Sequence, residues 1–314
     1  TVSGPTSPSV GVFVPSYNAE YFLSDCLDSL LKQTYPVDQI VVCDDASTDD
    51  TPSIIREYAS RYPDRVSGII HEKNIGIPAN FNSGLAAMKT DLVSLIAGDD
   101  CWHPEKVEHE VDCLQSTPSA RWVYSRCRRI DEEGNDLGRF DRKYDGRAGD
   151  ILHEVFTHKM ALRNYMAERA LFDEVGVFDE AFDIFEDWDL KIRLAAHAPI
   201  AFADHETVYY RSTEGESASG SSPQIFVRNL EHVYDKHADL VDAMPPSEKA
   251  EVLDKMRSDF SHHYRNWCHR SLRKGNLPCA FTCYTRVVAH TRALHLKMLA
   301  RILLHPVRSP NDFF

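Results

Sequence analysis

Four times in its first hundred residues the chain repeats one pattern: a short apolar run, a polar stop, then an amphipathic stretch. Residues 10–14 are apolar and stop at Pro15-Ser16-Tyr17-Asn18. Phe22, Leu23, Leu27, Leu30 and Leu31 then recur at helical spacing across 20–33. Residues 40–43 stop at Asp44-Asp45-Ala46-Ser47-Thr48-Asp49-Asp50, and Thr51-Pro52 reads as an N-cap with proline in the first helical turn, opening a helix to about residue 62. Residues 66–71 end in the loop Lys73-Asn74-Ile75-Gly76, and Pro78 opens a helix towards Met88. Residues 91–97 stop at Gly98-Asp99-Asp100. Short Val- and Ile-rich runs predict strands buried on both faces, and strand–helix alternation predicts parallel pairing with right-handed crossovers. The fold class is therefore α/β: a Rossmann-like mixed, mainly parallel sheet flanked by helices.

Each polar stop falls at the carboxyl end of a predicted strand, so all of them converge on one edge of the sheet, where open α/β sheets bind ligands. Beyond Asp100 the pattern is less regular. It predicts helices to about residue 115 and over 151–159, 169–175 and 186–197. It predicts strands over 121–130, 164–167 and 200–211, and a long polar segment over 136–150. Residues 212–223 have almost nothing to bury and read as a mobile loop. From residue 224 the pattern is helical, broken at Pro245-Pro246, at 275–278 and at Pro306. Residues 1–9 read as a flexible leader.

Charge narrows the partners. The formal net charge of −13 argues against a nucleic-acid binder. It is unevenly spread: from Ser261 on, nine Lys/Arg stand against one Asp/Glu, so an acidic body carries a basic tail. Within that tail, residues 294–304 form a basic amphipathic stretch. Docking on an anionic membrane surface and packing against the rest of the protein or another copy are its two readings. The eight cysteines form no C-x-x-C pair, which fits reduced thiols of a cytoplasmic protein rather than a zinc site. No run of eighteen apolar residues occurs that could span a membrane.

The polar stops carry the candidate chemistry. Asp99 and Asp100, adjacent at a strand exit, suit a hard divalent cation such as Mn²⁺ or Mg²⁺ when phosphates complete its shell, although a solvated turn uses the same residues. Tyr17 could stack on a base or be a rim aromatic. Asp44 and Asp45 could accept from a base or a ribose hydroxyl, or Asp44 or Asp49 could merely cap the helix region at Thr51. Asn80 and Asn82 share the edge with Asn74, as sugar contacts or surface amides. Trp102 and Trp188 flank acidic clusters, as stacking surfaces for a sugar or as core. Asp187, beside Glu186, could be a general base or a carboxylate favoured by a helix N-terminus.

Taken together, Val14-Pro15-Ser16-Tyr17-Asn18, Asp44-Asp45-Ala46-Ser47-Thr48-Asp49, Asn74-Ile75-Gly76, Gly98-Asp99-Asp100 and Glu186-Asp187-Trp188 resemble, in order and spacing, the family 2 glycosyltransferases of the GT-A fold, the spore-coat SpsA-type members in particular. The resemblance covers about residues 10–212. It implies a GT-A catalytic domain over 10–222, with a nucleotide-binding half (10–100) and an acceptor half (101–222), followed by a helical C-terminal region over 223–314. It implies a nucleotide-sugar donor, most simply a UDP-sugar, and a carbohydrate or glycoconjugate acceptor. Pro15 and Tyr17 would line the base pocket, Asp45 would accept from the base, Asp44 would support the loop, and Asn74 would join them in binding the nucleotide sugar. Asp99 would meet the ribose or the metal shell, and Asp100 would bind the cation. Asp187 would be the base of an inverting transfer, with Glu186, Trp188 and Trp102 on the acceptor side.

Two departures stand out. Ala97-Gly98-Asp99-Asp100 lacks the first carboxylate of the family's Asp-x-Asp-Asp, and Tyr210-Arg211-Ser212-Thr213 lacks the histidine that many members carry near the diphosphate. Arg211 could touch phosphate there or form a buried ion pair. Two rival functions remain: a nucleotidylyltransferase, which would want a Gly-rich basic loop that Pro15 to Glu20 does not supply, and a non-catalytic nucleotide-sugar binder.

Overall fold

A computed structural model describes residues 7–140, 145–160, 162–212 and 222–291. It divides into two compact units, Thr1–Gly215 and Glu216–Phe314.

The first unit runs β1 (Val10–Ser16), α1 (Leu23–Leu31), β2 (Gln39–Asp44), α2 (Thr51–Arg61), β3 (Val66–Ile70), α3 (Ile77–Ala87), β4 (Leu92–Leu95), β5 (Cys101–Trp102), α4 (Lys106–Ser116), β6 (Trp122–Ile130), β7 (Asp136–Arg139), α5 (Leu152–Thr157), β8 (Met166–Glu168), α6 (Arg169–Val175), α7 (Glu186–His197) and β9 (Ile200–Arg211). The strands form one sheet in the order β3-β2-β1-β4-β8-β6-β9-β5, with β7 beside β6. The first four are parallel, while β8 is antiparallel to both β4 and β6. The sheet continues past Asp100, so the two halves of this unit differ in strand direction without a gap between them.

Both faces of the first strands are covered. Val10, Val12 and Val14 point into one core with Leu23, Leu27 and Leu30 of α1 and Ile55 of α2. Phe13 points the other way and meets Phe81 of α3 at 6.2 Å and Phe178 at 6.4 Å. Burial on both sides explains why these strands read as continuous apolar runs.

Two short strands escape the hydrophobic pattern. The segment 136–150, expected to be irregular, begins with β7, whose Arg139 and Asp136 pair with Arg128 and Ile130 of β6. β5 holds two residues, paired with Tyr209 and Val208 of β9. Both lie at sheet edges and are set by backbone pairing, which leaves little side-chain periodicity to read.

The second unit is helical: α8 (Pro223–Lys236), α9 (Ala238–Ala243), α10 (Pro246–Arg273) and α11 (Leu277–Thr291). Ser222 caps α8 by accepting from the Ile225 N–H, and Tyr264 donates to Glu231 at 2.6 Å. No helix among the described residues is long and apolar enough to cross a membrane. The loop expected over 212–223 lies outside the described residues from 213 to 221, as does the whole amphipathic stretch 294–304.

Candidate active site

β1 pairs with β2 on one side and with β4 on the other, so the strand order reverses at β1. The crevice beyond the carboxyl ends of β1 and β4 is where such a sheet binds its ligand. Pro15 and Ser16 close β1, and the turn after β4 folds back onto them, with the Gly98 N–H donating to the Pro15 carbonyl at 3.1 Å. A Cβ at Gly98 would stand 3.1 Å from Ser16 Oγ. Glycine therefore lets the two loops touch.

On the β2 side the loops are stitched together by hydrogen bonds. Buried Asp44 accepts from the Ser47 N–H at 3.1 Å and from the Ser47 hydroxyl. Buried Asp45 accepts from the Ile75 N–H at 2.7 Å and the Gly76 N–H at 3.1 Å. Asn74 donates to the Asp45 carbonyl at 3.3 Å. Asn18 accepts from the Thr48 N–H at 2.9 Å, and its own N–H donates to Ser47 Oγ at 2.8 Å. Tyr17 stands above this framework with 55% of its surface exposed.

Asp99 and Asp100 follow β4. Asp100 is buried and Asp99 half-buried. Burial raises the pKa of both, and for Asp100 the neighbouring Asp99 charge raises it further. One oxygen of Asp100, Oδ1, accepts the Arg211 backbone N–H at 2.9 Å. The Arg211 guanidinium is buried and donates to the carbonyls of Asp99 (2.9 Å), Asp131 (3.0 Å) and Glu132 (2.7 Å), beneath the Phe22 ring. Of the two roles open to Arg211, the structure shows the buried one: Nε and Nη1 clamp the Asp99–Asp100 turn and the 131–132 carbonyls, and Nη2 lies 3.8 Å from Cys101 Sγ and 3.7 Å from the Asp25 carboxylate.

α7 supplies the next carboxylates. Its N-cap is Phe185, at φ +73°. Arg193 fixes the helix by pairing with fully buried Asp189 at 2.7 Å and donating to the carbonyls of Val175, Gly176 and Val177. Asp187 pairs with Lys191 at 2.7 Å, and its side chain is half exposed. Burial raises the Asp187 carboxyl, but the charge and hydrogen bond of Lys191, the Trp188 N–H and the Arg163 charge together outweigh it and hold the group below its usual range. Glu186 is buried, and burial together with the Asp187 charge pushes it up. Asp187 lines a cavity of about 200 Å³ with Trp188, His158, Leu162 and Lys191. The Trp188 indole donates to the Val155 carbonyl at 3.0 Å.

The four described non-glycine residues at positive φ are Asn18, Ala46, His158 and Phe185. The first two follow Tyr17 and Asp45, and the other two line the cavity of Asp187. Each costs about 1–3 kcal/mol, and such strain concentrates at functional sites.

Three expected side chains stand elsewhere. Trp102 is 2% exposed and packs in the core under Lys106 Nζ, 3.7 Å from its ring, so no sugar reaches it. Asn82 holds the Phe178 backbone through both ends of its amide, and Asn80 is buried against the Cys43 carbonyl. Lys191 and Arg163 are neighbours of the carboxylates that the sequence did not single out. Lys191 was detectable as the i+4 partner of Asp187. Arg163 had no signal, because it reaches the site from an irregular segment.

This sheet, with its switch-point crevice and an acidic helix start beside it, defines an α/β enzyme of the GT-A class. The family model for glycosyl transferase family 2 matches residues 11–172, and the chain belongs to that family. An uncharacterized glycosyltransferase of Rickettsia prowazekii is 30% identical over 210 residues, covering 64% of this chain and 63% of that protein. An uncharacterized protein of Mycobacterium tuberculosis is 39% identical over 202 residues, covering 62% and 56%. The match therefore spans less than two thirds of these relatives' length. Chondroitin synthase of Escherichia coli is 28% identical over 214 residues, covering 68% of this chain and 30% of that protein. The crystal structure of S. aureus TarS 1-349 in complex with UDP-GlcNAc shares the fold, with a TM-score of 0.63 at 18% identity over 91% of this chain and 92% of that one.

Proposed function

We propose that this glycosyltransferase moves a sugar from a UDP-sugar to a hydroxyl of a carbohydrate or glycoconjugate, with inversion and with help from Mn²⁺ or Mg²⁺. The observation that carries this reading is the meeting of four separate loops at the switch-point crevice. Tyr17 offers an exposed ring to the base. Asp45, backed by Asn74 and Asp44, offers a rigid carboxylate to the uracil N–H or the ribose, and Pro15 forms the wall beneath.

Asp99 and Asp100 fit a divalent cation by the chemistry of their donor set. They are hard oxygen ligands whose negative charge burial disfavours, and Oδ2 of Asp100 makes no contact with Arg211. No group of three or more His, Cys, Asp or Glu among the described residues could hold a metal, so phosphate oxygens and water would complete the shell. When bound, the cation would offset the charge that grows on the departing diphosphate.

Asp187 is the proposed base. Lys191 keeps it ionised, and its half-exposed carboxylate faces a cavity that an acceptor hydroxyl can enter. It takes the hydroxyl proton as the oxygen attacks, a contribution of roughly 10²–10⁴ in rate. The reading names one base and no nucleophile, so attack comes from the face opposite the leaving group and inverts the anomeric centre. The same cavity wall carries Trp188, and Glu186, buried beside Asp187, is assigned with it to the acceptor side.

The test is Asp187→Asn. UDP affinity, measured by calorimetry with Mn²⁺, should stay within about twofold while turnover falls about 100-fold or more. Full transfer by this variant would remove Asp187 as the base. A wild-type protein that binds no uridine nucleotide, with or without Mn²⁺, would remove the donor assignment.

A further inference from the structure

On the UDP-sugar reading, a diphosphate would come to lie beside two adjacent carboxylates, Asp100 buried and Asp99 half-buried. One divalent cation balances Asp99 and Asp100 and leaves the diphosphate charge unmet. Two guanidinium groups act on both carboxylates, those of Arg211 and Arg163. Arg211 is buried and has committed its donors to three carbonyls, Cys101 Sγ and the Asp25 carboxylate. Arg163 has not: it is exposed, makes no hydrogen bond or ion pair among the described residues, and rests over the rings of Tyr210 (4.2 Å) and Phe140 (4.6 Å).

Its position is set from both ends. Asn164, the next residue, donates its amide to the Leu95 carbonyl at 2.7 Å, and Ser94 donates to the Tyr165 carbonyl at 2.7 Å. These bonds fix the segment to β4, just before the Asp99–Asp100 turn. Tyr210, under the guanidinium, immediately precedes Arg211, whose N–H holds Asp100. On the other side, Leu162 lines the cavity of Asp187. Arg163 thus stands between the carboxylate pair and the proposed base, stacked on two aromatic rings that restrain its plane. A preoriented guanidinium with open N–H donors suits a bidentate hold on phosphate oxygens.

We propose that Arg163 binds the diphosphate of the donor and steadies the negative charge it gains as the glycosidic bond breaks. This rests on the UDP-sugar reading above. The test is calorimetry of UDP, UMP and uridine with Mn²⁺ on the whole chain, comparing wild type with Arg163→Gln and Arg163→Lys. The Gln variant should bind UDP about tenfold or more weakly, bind UMP with a smaller loss and hold uridine within about twofold. The Lys variant should recover part of the loss and serves as the comparison if the Gln variant is unstable. UDP binding unchanged in both variants would overturn the proposal while leaving the donor reading intact. So would an equal loss for UDP and uridine. A wild type that binds none of the three would overturn both.

Discussion

Replacing Arg211 by methionine tests the clamp that holds the acidic turn. The substitution keeps an apolar stem under Phe22 and removes three guanidinium bonds, to the carbonyls of Asp99, Asp131 and Glu132, at 2.7–3.0 Å. Bonds from a charged donor contribute more than the usual net of about 1 kcal/mol each, but water can reach the half-exposed turn and replace some of them. Removing a buried charge also recovers part of its desolvation cost. A total of about 3 kcal/mol follows, or a fall of roughly 6–12 °C in the melting temperature of a unit this size. The Asp100 contact to the Arg211 N–H is a backbone bond and survives. Stability should therefore fall first, and Mn²⁺-dependent UDP binding should weaken because the turn is no longer pinned at Asp99. Scanning calorimetry with and without Mn²⁺ and UDP measures both. If Arg211→Met melts within about 2 °C of wild type and binds UDP normally, the clamp carries no energy and the argument fails.

Tyr17→Ala should leave the melting temperature unchanged, because the ring is already 55% exposed, and should weaken UDP by about 5- to 100-fold if base stacking contributes roughly 1–3 kcal/mol. Unchanged affinity would return Tyr17 to the status of a rim aromatic. Glu186→Gln tests the buried carboxyl. Its folded pKa is raised by burial and by Asp187, so its contribution to stability is present below the ordinary glutamate range and lost as pH rises through the raised value. The Gln variant should match wild type near pH 4 and exceed it at pH 8–9, on the order of 2 kcal/mol, in urea titrations at the two pH values. A gain at low pH instead would reverse the sign and refute the assignment. Lys191→Met removes the charge that depresses Asp187, so the acid limb of kcat/KM should move to higher pH. A limb that stays in place would mean that another group sets it.

The first hundred residues were legible because strands buried on both faces leave no polar position inside a run. Each run then ends where the polar loop at its carboxyl end begins. The order of those runs, with Gly98 between apolar strand and carboxylates, was enough to predict the parallel half of the sheet and the edge on which Tyr17, Asp45, Asp99 and Asp100 gather. Asp187 was visible from the acidic start of an amphipathic helix.

The later strands were harder, because β5 and β7 are short edge pieces whose positions depend on partners far along the chain. The roles of single side chains lay further out of reach. Trp102 and Trp188 look alike in sequence, each beside acidic residues. Only packing sends one into the core under Lys106 and leaves the other on a cavity wall. Arg211 and Arg163 are both arginines near the crevice, and nothing local separates them. Local periodicity determined which stretches become strands and helices, because that depends on a residue's own neighbours. Which guanidinium is buried against carbonyls and which rests exposed on two rings was decided in three dimensions, for Arg211 by contacts with residues 79 to 112 positions away.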